Sequence, residues 1–214
     1  SHEIRTPLNG IIGFSDLLVK TELTPIQSKY VLIISQSGNS LLRIIDDILD
    51  FSKIESKKFD LTMENVNLIE LCNQLVDTFD HQAQEKGLKL ILTIAPDVPR
   101  IIWADETRLR QVLINLLGNA VKFTQEGEIS ITIDKLANSN LGESSLRFSV
   151  KDTGVGIDPK NQEKIFEAFV QEDISNTKKY GGAGLGLTIS SELLALMGSK
   201  LELQSKKGEG SQFH

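Results

Sequence analysis

The hydrophobic pattern changes period once along the 214 residues, near Ser56 to Asp60, which divides the chain into a helical part and a mixed one. Before that point Ile4, Leu8, Ile11 and Leu18 recur at heptad-like spacing. The pattern breaks at Thr21-Glu22-Leu23-Thr24-Pro25, and Val31, Ile34, Leu41, Ile45 and Ile48 then follow on a second seam. Thr24 before Pro25 is a cap-then-proline helix start. Leu32, Leu42 and Leu49 widen the second stripe beyond that of a lone surface helix. An antiparallel helix pair cannot bury both seams by itself. A second copy completing a four-helix bundle covers them; on pattern alone, so does a hairpin folded back on its own domain.

After the change, strands alternate with helices. The spacing predicts a strand around Phe59–Val66, a helix over Leu68–Lys86, a strand around Leu88–Ala95 and a long helix over Glu106–Phe123. Strands follow at Ile129–Leu136 and Leu146–Lys151, joined by a polar hairpin connection at Asn138–Ser145. A short helix near Lys160–Phe169, a helix over Leu185–Met197 and closing strands complete an α+β arrangement, with helices layered on one sheet. We place the boundary between residues 1–57 and 58–214. A net charge of −6 leaves no dominant basic face for nucleic acid. The single cysteine, Cys72, lies among Leu68, Ile69, Leu71 and Leu75, reads as core packing and rules out an internal disulfide. No apolar run reaches the roughly 20 residues needed to span a bilayer. Both ends read as cuts, which predicts a piece of a longer protein.

Three segments carry polar chemistry. On the helix Glu106–Phe123, Leu109, Val112, Leu113, Leu116, Leu117 and Ala120 gather on the core side. Gln111, Asn115, Asn119 and Lys122 form a stripe about opposite. Asparagine is a mediocre helix former, and two of them at i, i+4 before a lysine offer stacked amide oxygens and a cation. Amide oxygens suit Mg²⁺ and the lysine suits a phosphate; a plain solvated face fits the same pattern. In the strand Leu146–Lys151, period two places Asp152 inward with Leu146, Phe148 and Val150. An inward carboxylate needs a donor such as a purine amine, although a capped turn is the simpler reading. Gly154 and Gly156 follow, and permit close backbone approach or positive φ. The third segment, Gly181-Gly182-Ala183-Gly184-Leu185-Gly186, opens a helix whose free N–H groups attract an anion. Asn176, Lys178, Lys179 and Tyr180 precede it in a polar stretch long enough to act as a lid. It is neither a Walker loop nor a Rossmann turn.

The chain opens with Ser1-His2-Glu3-Ile4-Arg5-Thr6-Pro7. Neutral imidazole is a good nucleophile, and the neighbouring carboxylate can accept its other ring proton. Thr6, at i+4 from His2, shares its helix face and can orient a water. Pro7 removes the backbone bond to Glu3 and bends the helix beside the histidine. His81 and His214 read as structural or solvent-facing.

Together these segments resemble the histidine kinase family over essentially the whole chain. Ser1–Leu8 is similar to its H-box, and Gln111–Thr124 (QVLINLLGNAVKFT) to its N-box. Asp152–Asp158 (DTGVGID) is similar to its G1 box, Phe166–Gln171 (FEAFVQ) to its F-box and Gly182–Leu187 (GAGLGL) to its G2 box. Five motifs in the family's order are far more specific than any one of them. The wording of SHEIRTPLNGI and FEAFVQ most resembles the hybrid kinases, which carry a receiver domain on the same chain. The resemblance implies a two-helix hairpin that dimerises into a four-helix bundle, followed by an α/β sandwich ATP-binding domain of Bergerat type. It implies autophosphorylation of His2 from ATP, with Glu3 as general base and Thr6 in dephosphorylation, and onward transfer to a response-regulator aspartate. It assigns Asp152 to the adenine amine, Asn119 to Mg²⁺, and Asn115 and Lys122 to the phosphates and metal shell. Phe123, Gly154, Gly156, Ile157, Lys178, Gly182, Gly184, Leu185, Gly186 and Leu187 would complete the nucleotide site. It implies a homodimer and the cytoplasmic portion of a membrane-anchored sensor. Attack by His2 on bound ATP then requires the nucleotide domain to swing, with a hinge near Lys57–Phe59. Ala183 departs from the threonine often found there. A Bergerat-group ATPase without a phosphohistidine, or a nucleotide-binding scaffold without catalysis, are the competing expectations.

Overall fold

The protein is described by a computed structural model covering residues 2–56, 59–136, 145–170 and 184–214, residue 2 by its backbone alone. The chain forms two compact units, Ser1–Phe59 and Asp60–His214. The first is a helical hairpin of α1 (His2–Val19) and α2 (Pro25–Glu55). Thr24 starts α2 through a capping box: its hydroxyl accepts the Gln27 N–H, and the Gln27 side chain accepts the Thr24 N–H. Leu8, Ser15, Val31, Gly38 and Ile54 are buried in the hairpin. At Gly38 the helices meet so closely that a Cβ would lie 2.8 Å from Ile12 Cγ1. Ile4, Ile11, Leu18, Ile34, Leu41 and Ile48, all read as seam residues, remain exposed.

In the second unit, β1 (Glu64–Asn67) leads into α3 (Leu68–Glu85), then β2 (Lys89–Ile94), β3 (Ile101–Ala104) and α4 (Glu106–Phe123). β4 (Glu128–Lys135), β5 (Leu146–Asp152), α5 (Gly186–Leu196), β6 (Leu203–Lys206) and β7 (Gly210–Phe213) complete it. The main sheet has the order β2-β4-β5-β7-β6, with β2 parallel to β4 and the remaining pairs antiparallel. β1 and β3 form a separate antiparallel pair. α4 packs between α3 and α5 and against β5. The core is made by Leu71, Leu75, Leu113, Leu117, Ile129, Ile131, Ile133 and Leu193, all fully buried. Each such side chain contributes about 1.5–3 kcal/mol relative to leaving it in water. Cys72 is buried with them, and burial pushes its thiol up to about 11.

α4 is held at both ends. Asp105 caps its start by accepting Arg108 N–H on Oδ1, while Oδ2 accepts Thr62 N–H at 2.8 Å. At its end, Lys86 Nζ donates to Val121 O at 2.6 Å and Lys122 O at 3.4 Å, which are carbonyls the helix itself leaves open. Lys86 is placed there by the turn that ends α3. Gly87 takes φ +69°, Gly87 N–H bonds Gln84 O and Leu88 N–H bonds Ala83 O.

Three expectations change. β3 is a strand that the hydrophobic pattern does not announce, and the first strand begins at Glu64 rather than Phe59, because β1 is only as long as its four-residue partner. The helix expected over Lys160–Phe169 is a run of turns with one 3₁₀ turn at Lys164–Phe166. That stretch is held by neighbours instead: Gln162 donates to Ile157 O and Ser205 O, and Thr188 donates to Phe166 O. The hairpin connection expected at Asn138–Ser145 falls almost wholly outside the described residues, as do Lys57 and Lys58 of the expected hinge.

Candidate nucleotide and phosphoacceptor sites

The core stripe read on α4 is buried at every position: Leu109, Val112, Leu113, Leu116, Leu117 and Ala120. Gln111, Asn115, Asn119 and Lys122 are half-buried rather than fully solvated. Asn115 turns toward α5. Its Nδ2 donates to Ser190 Oγ at 2.9 Å, and a Cβ added to Gly186 would fall 2.2 Å from its Oδ1. Glycine at position 186 is therefore what lets the amide lie against the first turn of α5. Lys122 lies over the ring of Phe123, 4.7 Å from the centroid.

β5 delivers Asp152 to the sheet's inner face, as period two requires, at 7% exposure. Its Oδ1 accepts the Gly154 N–H at 2.8 Å. Burial raises the carboxyl above its ordinary range, and the backbone N–H groups of Gly154 and Ser211 oppose that rise. Gly154 is required by crowding, since a Cβ there would meet Phe123 O at 2.6 Å. Gly156 takes φ +63°, with the space beside it filled by the Lys206 carbonyl. Ile157 is anchored by its N–H to Ser205 Oγ at 2.8 Å. The residues fit a purine nucleotide: the carboxylate is buried yet retains acceptor capacity, and glycines line its approach. Among the described residues, no three His, Cys, Asp or Glu side chains converge on a metal; the hard oxygen donors on α4 are the carboxylate of Glu106 and the amides of Gln111, Asn115 and Asn119.

Gly184 takes φ +71°, and its carbonyl accepts Phe169 N–H, so the F-box end and the glycine loop meet. Leu185, read as nucleotide-binding, is fully buried; its side chain serves the core, leaving only its backbone near the loop. Gly186 and Leu187 open α5 half-buried. Asn176, Lys178, Lys179, Tyr180, Gly181, Gly182 and Ala183 lie outside the described residues. In the hairpin, His2 begins α1, Glu3 and Thr6 are exposed on it, and the helix continues through Pro7. Arg5 reaches Asp46 on α2 with Nε at 2.9 Å and Nη2 at 2.6 Å. His81 is exposed, whereas His214 is half-buried and pairs with Glu202 through Nε2 at 3.1 Å.

Sequence reasoning missed Ser190, Thr188 and Lys86. Each makes its defining bond to a residue far along the chain; the only local signals were serine and threonine inside an apolar helix, and Lys86 before a glycine.

The family described as histidine kinase-, DNA gyrase B- and HSP90-like ATPase matches residues 104–214, and the His Kinase A (phospho-acceptor) domain matches residues 1–57. Signal transduction histidine-protein kinase BarA of Escherichia coli (strain K12) is 44% identical over all of this chain, which spans 23% of that relative. Hybrid signal transduction histidine kinase A of Dictyostelium discoideum is 42% identical, again over all of this chain, which spans 10% of it. Among solved structures, full-length ShkA in complex with AMPPNP superposes with TM-score 0.80 at 40% identity, covering 99% of this chain and 43% of that one. Histidine kinase ThkA in complex with the response regulator protein TrrA gives TM-score 0.65 at 28% identity, covering 99% of this chain and 57% of that one. With one family covering the nucleotide-binding elements and the other the helical hairpin, the chain belongs to the histidine kinases.

Proposed function

We propose that this chain is the core of a protein histidine kinase that phosphorylates its own His2 from ATP and passes the phosphoryl group to a response-regulator aspartate. The observation that carries the reading is the meeting of Asn115 with the glycine start of α5, in a unit that also buries Asp152 at the end of β5. Residues 1–57 act as the dimerisation and phosphoacceptor hairpin, and 58–214 as the catalytic domain. The exposed seam residues of α1 and α2 support dimerisation. The receiver domain is carried on the same chain, by analogy with relatives named as hybrid kinases. The parent is a membrane-anchored sensor with this portion in the cytoplasm; no helix among the described residues is long and apolar enough to cross a membrane.

Asp152 accepts from the adenine amine, and Gly154, Gly156 and Ile157 form the turn against the base. Asn115 and Lys122 meet the phosphates and metal shell, beside Phe123, while Lys178, Gly182, Gly184, Gly186 and Leu187 complete the phosphate side. Asn119 holds Mg²⁺, which supplies charge neutralisation on the phosphates. Glu3 takes a ring proton from His2, leaving the other ring nitrogen to attack the γ-phosphorus in line as the bond to the ADP oxygen breaks. Thr6 orients water for hydrolysis of a phosphorylated regulator. Because phosphoryl transfer leans on positioning and charge, most of the catalysis rests with these fixed groups.

The test is incubation with γ-labelled ATP and Mg²⁺, comparing the chain with its His2→Gln variant. Acid-labile, alkali-stable label lost in the variant is expected, with nucleotide affinity retained. Label that survives in His2→Gln, or ATP hydrolysis without any phosphohistidine, would overturn the reading.

A further inference from the structure

Asparagine is an ambiguous tool at a nucleotide site. Its amide carries a donor end and an acceptor end of nearly equal shape, and its last torsion is broad. An asparagine meant to hold its amide in one plane at a ligand therefore needs a neighbour that fixes that torsion. For Asn115 that neighbour is Ser190, on the second turn of α5. Ser190 is 2% exposed, and its hydroxyl receives Asn115 Nδ2 at 2.9 Å across 75 residues of sequence. The other end of the amide, Oδ1, sits beside Gly186 at the glycine start of the same helix. A serine buried in a helix interior is commonly satisfied by the carbonyl one turn earlier and is then interchangeable with alanine. Here its hydroxyl oxygen accepts from Asn115.

We infer that Ser190 is a positioning residue for phosphoryl transfer, holding the Asn115 amide nitrogen so that its oxygen is presented at the glycine end of α5. The hydroxyl touches no substrate; it acts through Asn115. It also makes the orientation of Asn115 depend on α5 being seated against α4, so the amide is set only when the glycine-started helix is in place. Thr188, one residue before Ile189 on the same helix, bonds Phe166 O at 2.9 Å, so α5 is tied to the F-box turn as well as to α4. The inference rests on the assignment of Asn115 to the phosphates and metal shell.

A double-substitution cycle on this chain tests it, reading Mg²⁺-dependent affinity for the non-hydrolysable analogue AMPPNP by calorimetry and the KM for ATP in autophosphorylation. Ser190→Ala is expected to weaken both about three- to ten-fold, the loss of one orienting hydrogen bond, with the melting temperature nearly unchanged. Ser190→Thr, which keeps the hydroxyl, should stay within about two-fold of the parent. Asn115→Ala should weaken binding at least as much as Ser190→Ala, and adding Ser190→Ala to it should change nothing further, because the group being oriented is gone. Independent, additive losses would mean that Ser190 is merely part of the packing and would sink the inference, as would a Ser190→Thr variant no better than Ser190→Ala. If Asn115→Ala binds poorly while Ser190→Ala binds normally, this inference alone fails. If Asn115→Ala itself binds normally, the assignment of Asn115 fails, and this inference with it.

Discussion

Replacing Asp152 by asparagine should separate what the carboxylate does for nucleotide from what it does to the fold. The side chain is 7% exposed and receives Gly154 N–H on Oδ1 at 2.8 Å. Asparagine is nearly isosteric and keeps one carbonyl oxygen for the Gly154 and Ser211 N–H groups that both donate to the carboxylate. Its other corner becomes an NH₂ group facing the purine amine, so an acceptor is exchanged for a second donor. A hydrogen bond to a charged acceptor is worth about 1.5–3 kcal/mol, and facing donors leave both unsatisfied, so about 2–4 kcal/mol of binding should go. That is roughly 30- to 800-fold in Kd, measurable by titration calorimetry with a non-hydrolysable ATP analogue. Stability should move the other way. Burial raises the Asp152 carboxyl above 3.8, so the native state holds its proton more tightly than the unfolded chain does. The stabilisation from the protonated form is full below 3.8 and is lost as pH rises through the raised native value. Melting temperatures of the nucleotide-free proteins should therefore coincide in acid and diverge toward neutral pH, with Asp152→Asn the higher. An affinity loss under about three-fold, or a variant that melts progressively lower as pH rises, would refute the reasoning.

Two further substitutions probe how the site is built. Gly156→Ala forces an L-residue to φ +63° and sets a Cβ 2.0 Å from the backbone oxygen of Lys206, which cannot move without the β6–β7 hairpin. About 3 kcal/mol of stability should be lost, or about 6–12 °C in Tm, and a shift under 2 °C would contradict the geometry. Lys86→Met removes the ammonium from Val121 O and Lys122 O; being exposed, it should cost about 1 kcal/mol in urea unfolding, largely restored in Lys86→Arg. An unchanged midpoint would show that water replaces the ammonium at no cost.

Much of the site was legible because its rules are local. Period two placed Asp152 inward, and a 3.6-residue wheel separated the buried leucines of α4 from its amide stripe. Thr24-Pro25 announced its own cap. What escaped depended on partners distant in sequence. The run Ile101–Ala104 is a strand only because Glu64–Asn67 pairs with it, and its outward Ile101 and Trp103 gave no alternation with polar residues. Gly38 looks like an ordinary flaw in a helix until Ile12 is set against it. Leu185 was read with the glycines around it, yet packing claims its side chain. The bond between Asn115 and Ser190 joins two helices that the sequence lists with a sheet between them.

The fastening of α4 at both ends has a consequence for how such a site can evolve and move. A helix held by Asp105 and Thr62 at one end and by Lys86 at the other behaves as a fixed rail along which Asn115, Asn119 and Lys122 are set at constant intervals. Bending that rail would break those fastenings. Substitutions elsewhere in the unit can therefore be taken up without changing the spacing of these three side chains along α4.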